Sequence, residues 1–148
     1  MSPREAYFRL TPKRIAVGAV ALVLLVVVGR LLFDALFSSG EGHTARVRVT
    51  ELFEAIEDGS AATDVALTRW YGGIPPRDPD LLGMLSDEFD AFCTDHELRP
   101  MTGFEVRDVR ATGEKDRLGA AAFLVSGVAN GKPFRLRVQR GRTISWVN

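Results

Sequence analysis

Cysteine occurs once in this chain, histidine twice and lysine three times, against sixteen arginines. A single cysteine excludes an internal disulfide, and no lipoprotein-type cleavage signal precedes Cys93, which is expected as a small buried apolar residue. Two histidines leave little for metal or acid–base chemistry. His43 lies in a hydrophilic stretch and is expected in solvent. His96 follows Cys93 at the Cys-x-x-His spacing, which puts two metal ligands on one helix, but the second pair that a closed site needs is missing. Ser-His-Asp spacing, a glycine-rich phosphate loop and a paired-carboxylate motif are absent as well. No catalytic, metal-binding or cofactor-binding residue is therefore expected, and no cofactor. The preference for arginine is what a GC-rich bacterial coding bias produces.

Net charge is absent only in total. Residues 1–40 carry a net +3, residues 41–98 a net −9 and residues 99–148 a net +6. Such separation speaks about surfaces and partners rather than about the fold. The nine net negative charges on the middle segment argue against nucleic acid.

What is present in quantity is apolar sequence. Ile15 to Phe33 reads IAVGAVALVLLVVVGRLLF, and thirteen of these 19 residues are Leu, Ile, Val or Phe. On an insertion scale they favour a bilayer by about 5 kcal/mol, and Arg30 near the border opposes this by at most about 3 kcal/mol. The run is too long for a signal-peptide core and no small-x-small cleavage site follows it. A transmembrane helix over 15–37 is expected, with a cytoplasmic tail at 1–14 holding Arg4, Arg9, Lys13 and Arg14 and the remainder of the chain outside the cell membrane, in the periplasm or beyond. Arg30 and Asp34, four apart on one helix face, are expected to pair locally or to contact a neighbouring membrane subunit.

Ser38-Ser39-Gly40-Glu41-Gly42 predicts a flexible linker over 38–43. An α+β domain follows over 44–148. Val49, Leu52, Phe53 and Ile56 recur at helical spacing up to Gly59. A second helix is expected over Asp64–Tyr71, capped by Thr63 or Asp64. Asp78-Pro79 starts a third, its face Leu81, Leu85, Phe89 and Phe92, running to Leu98; Pro76-Arg77-Asp78-Pro79 also matches PxxP, but the helix start explains it better. From Phe104 the period becomes two, and Val109 out of step predicts a bulge. A turn at Gly113–Asp116, a central strand Leu118–Ala129, an Asn130-Gly131 hairpin, a strand through Phe134, Leu136 and Val138, and a last strand Thr143–Val147 complete the reading. The fold class is thus one membrane helix, then about three helices packed on a four-stranded antiparallel curved sheet.

The segment Leu52-Phe53-x-Ala55-Ile56-x-Asp58-Gly59, with the helices-then-meander order after it, resembles the nuclear-transport-factor-2-like group, including its SnoaL-like members, and the cystatin-like folds beside it. Enzymes of that group hold Asp, His or Tyr in a cone-shaped pocket, so the resemblance implies a pocket between helices and sheet. A short tail, one membrane helix and such a domain outside also resemble assembly factors of type IV secretion systems.

Arg107, Arg135 and Arg137 are expected on one face of the meander, with Arg140 and Arg142 at its edge turn. They form the candidate docking surface for an acidic partner or anionic headgroups. Trp70 and Tyr71 are expected as lids over the core. The expected role is a non-catalytic accessory or assembly subunit of an envelope membrane protein complex, its partners the other subunits and the lipid bilayer, with a homodimer through the sheet as a further arrangement. The alternative is a module holding a small apolar ligand between helices and sheet.

Overall fold

The structure, a computed structural model, describes residues 12–148, the side chains of 12–15, 33–39, 60 and 61 excepted. The tail Arg4 and Arg9 lie outside the described residues, and the side chains of Lys13, Arg14 and Asp34 lie outside the described side chains. The chain divides into two compact units, Met1–Phe37 and Ser38–Asn148.

Helix α1 (Pro12–Glu57) contributes to both. In the first unit every described side chain from Ala16 to Leu32 is exposed, Arg30 among them. Among the described residues no helix is long and apolar enough to cross a membrane.

The second unit is α+β, helices packed on a four-stranded antiparallel sheet. After α1 come a single 3-10 turn (Gly59–Ala62), α2 (Thr63–Tyr71), α3 (Pro79–Asp95), then β1 (Phe104–Lys115), β2 (Ala121–Ala129), β3 (Lys132–Gln139) and β4 (Ser145–Trp146). The strands lie in the order β1-β2-β3-β4. Val49, Leu52, Phe53 and Ile56 are buried as their spacing predicts, and Phe53 meets Phe134 edge-on at 5.0 Å. From α2 come Leu67 and Trp70, from α3 Leu85, Phe89, Phe92 and Cys93, from the sheet Val125 and Leu136, and from the loop before β4 Ile144. Asp78 caps α3 by accepting the Asp80 N–H at 2.9 Å, with Pro79 in the first turn. Asn130 and Gly131, at φ 51° and 76°, make the β2–β3 turn, and the bulge falls between Val106 and Asp108.

Several expectations need correction. Residues 38–43, predicted as a linker, are helical. No proline interrupts them, and Thr44 Oγ1 donates to the Gly40 carbonyl at 3.0 Å. Helix α2 has Ala62 at its N-cap with no side-chain capping bond, because the 3-10 turn delivers the chain directly into it. Leu81 is 52% exposed, since α3 meets the core only from Leu85 onward. That helix stops at Asp95, and Leu98 is buried instead by a tight turn in which its N–H reaches the Cys93 carbonyl. The β1–β2 turn falls after Lys115: the Asp116 carboxylate accepts the N–H groups of Leu118 and Ala120, which holds the reversal there and leaves Leu118 94% exposed rather than in the central strand. Strand β4 is shorter than predicted because the Ile144 N–H bonds to Trp70 O and not to the sheet.

Candidate functional site

Position 48 lies on the apolar stripe of α1, three residues after the buried Ala45 and four before the buried Leu52. A charge there must find partners or remain in water. Arg48 finds four main-chain oxygens. Nε donates to Arg69 O at 2.6 Å and Nη1 to Gln139 O at 3.0 Å. Nη2 donates to Trp70 O at 2.8 Å and Arg142 O at 2.7 Å. Two of these carbonyls are in the last turn of α2, where the helix dipole is negative, so the cation also answers the dipole. The other two belong to the end of β3 and the turn that follows. One side chain thereby ties α1 to α2 and to the sheet. Burial, with Arg69 adding repulsion, brings the Arg48 pKa down to about 10, so the group stays charged at neutral pH.

Gly72 exists for this arrangement. It ends α2 at φ 84°, its N–H on Thr68 O at 3.0 Å. A side chain's first carbon at this position would lie 2.5 Å from Arg48 Nη2 and 2.7 Å from Arg142 O.

Around Arg48 opens a cleft of about 790 Å³ between α1, the end of α2, the start of β2 and the end of β3. Its apolar wall includes Ala45, Val47, Ile74, Phe123 and Val138; its charged groups are Glu41, Arg48, Glu51, Arg69 and Arg140. Arg69 Nε pairs with Glu51 at 2.5 Å. Such a volume suits a small-molecule site, and convergent polar groups set in an apolar wall give orientation and grip.

The predicted docking residues separate into two groups. Register places Arg135 opposite Ser126 and Arg137 opposite Leu124, on the sheet face away from Phe134, Leu136 and Val138. That face alternates in charge. Arg107, in the bulge, pairs with Glu105 at 3.1 Å, Arg110 with Asp108 at 2.5 Å, and Arg137 Nη2 with Glu114 at 2.5 Å. Arg135, Arg140 and Arg142 have no carboxylate partner among the described residues. Arg140 lines the cleft, and Arg142 presents its carbonyl to Arg48.

The remaining candidates are placed individually. His43 is exposed. His96 stacks on Trp146 at 4.0 Å and 6°, and burial lowers its pKa from 6.5 while Asp95 opposes. Cys93 is buried, and burial pushes its thiol up to about 11. Trp70 is a core residue between Phe89 and Phe92, and Tyr71 is half-buried. Sequence reasoning missed Arg48, although an arginine in register with an apolar stripe is a signal that could have found it. Comparison with known proteins returns no matching family model, no matching curated protein and no matching solved structure.

Proposed function

We propose that this chain is a single-pass protein of a bacterial cell membrane, its tail cytoplasmic and its α+β unit outside, serving as a non-catalytic accessory subunit of an envelope membrane protein complex. The apolar run Ile15–Phe33 and the basic tail before it support the anchor and its orientation. The observation that carries the docking role is the unpaired charge of Arg135, Arg140 and Arg142 along β3 and the turn after it, among the described residues. Exposed arginines without carboxylates add little to a fold and much to the rate and selectivity of association. The helices-then-meander order favours the likeness to the nuclear-transport-factor-2-like group.

Two experiments test this reading. A reporter that works only after export, fused behind Asn148, is expected to be active; activity of a cytoplasmic reporter in its place overturns the orientation. Arg135→Glu with Arg142→Glu in the full chain is expected to leave membrane retention intact and to remove the partner that co-purifies with the wild type. A partner retained at low and high salt removes the arginine face from the account.

A second reading rests on the cleft: a module that holds a small ligand beside Arg48. Its volume and its apolar wall favour this reading.

A further inference from the structure

The charge inside the cleft is not balanced. Arg48 carries five N–H donors and spends four on neutral carbonyls, so its hydrogen bonds are nearly complete while its positive charge meets no carboxylate. Arg140 lines the same cleft and has no acidic partner among the described residues. Glu51 is engaged by Arg69, which leaves Glu41 as the only unpaired acid lining the cleft among the described residues, against two cations. A half-buried cation without a counter-ion, one N–H to spare and an open cavity beside it make a site for an anion.

The rim describes the rest of the ligand. Ile74, 89% exposed, and Val47 stand at the cleft with no apolar neighbour to cover them fully. A free inorganic anion has no use for such a wall, whereas an amphiphile does. Chain connectivity supplies the source. Glu41 lines the cleft and follows Phe37, the last residue of the apolar unit, by four residues. Even a fully extended chain of that length reaches only about 14 Å. Chain connectivity alone thus keeps a residue of the cleft close in sequence to the expected anchor.

We propose that this cleft seats the headgroup of an anionic phospholipid from the bilayer that anchors the chain, with Arg140 and Arg48 facing the phosphate and Val47 and Ile74 against the apolar part. This deepens the ligand reading above and rests on the anchor. The lipid completes the charge balance that the protein leaves open, and holds the α+β unit at the membrane surface.

The test uses the full chain, reconstituted in vesicles of phosphatidylcholine with a minor share of phosphatidylglycerol, then purified in mild detergent with its retained lipids quantified. Wild type is expected to enrich phosphatidylglycerol by at least about fivefold, the worth of one arginine at an anionic surface. Arg140→Gln is expected to lose most of this enrichment, and Val47→Trp, which fills the cleft from an α1 surface position, to abolish it. Both variants are melted beside wild type, so that a folding defect in one leaves the other decisive. Equal enrichment in all three proteins, or none in wild type, overturns the proposal. So does displacement of the lipid by millimolar inorganic phosphate, which would make the cleft a free-anion site. Alkaline carbonate extraction separates the two readings: a chain released from vesicles overturns the anchor and the lipid site together, while a retained chain with unchanged enrichment in Val47→Trp overturns the lipid site alone.

Discussion

Arg48 and Arg137 both lie within hydrogen-bond reach of oxygen acceptors, but the acceptors differ in kind and number. Arg48 gathers four carbonyls from α2, from β3 and from the turn after it. Arg137 meets one carboxylate oxygen of Glu114, on a face where its own side chain is 42% exposed and its partner's 62%. Its Nε is buried with no partner among the described residues. The stronger formal attraction is therefore in the weaker structural position. A surface ion pair competes with water and salt and is worth about 0–1 kcal/mol. A half-buried cation serving four carbonyls, two of them through part-buried bonds, is less open to that competition, and its removal takes the donor from all four at once.

The largest effect is expected on the inner side. Arg48→Met keeps the stem's volume and removes every donor, and should lower the stability of the unit by about 3 kcal/mol. Thermal melts of the full chain in detergent should show a fall of about 10 °C or more; a shift under about 3 °C would equate Arg48 with a surface residue. Next comes Gly72→Ala. The left-handed φ of 84° and the crowding against Arg48 and Arg142 O predict a loss of about 2 kcal/mol in the same melts. A neutral result would mean that Arg48 can swing away without consequence. Smaller again is Arg137→Ala, expected within about 0.5 kcal/mol of wild type and equal to Glu114→Ala.

The smallest effect concerns pH. Burial lowers the His96 pKa from 6.5, so the unfolded chain takes up the proton more readily than the folded one. Stability from this group is complete above pH 6.5 and declines as pH falls through the lower folded value. The melting temperature at about pH 5.5 relative to about pH 7.5 should drop slightly more for wild type than for His96→Phe, which keeps a ring against Trp146. Equal drops in the two proteins would remove His96 from the pH response.

Local rules explain what was legible in the sequence. Val49, Leu52, Phe53 and Ile56 show their helix by period, Asp78-Pro79 marks a helix start, and Asn130-Gly131 turns a hairpin because both residues accept positive φ. Tertiary partners explain what was not. Gly40 and Gly42 read as linker and lie within α1, because glycine composition alone does not separate the two uses. Asp116 moves the β1–β2 reversal away from Gly113 through side-chain bonds that the sequence pattern does not rank. Leu81 has the right period and the wrong height along α3. For the site, position 48 could be placed on the buried stripe, but the carbonyls it reaches lie up to 94 residues away in sequence. The arginines of β3 could be placed on one face by alternation, whereas the pairing of Arg137 with Glu114, 23 residues away, depends on how β1 and β3 flank β2.

The salt dependence of the two arginine substitutions tests the comparison most directly. Melting of wild type, Arg48→Met and Arg137→Ala would be followed from about 0.05 M to about 1 M sodium chloride, over which the screening length falls to about 3 Å. The penalty of Arg48→Met should change little, because its acceptors are neutral carbonyls and two of its bonds are part-buried, so screening of ion pairs does not remove them, while any penalty of Arg137→Ala should vanish. A penalty for Arg48→Met that shrinks with salt in step with that of Arg137→Ala would contradict the account, placing both arginines in the same solvent-screened class.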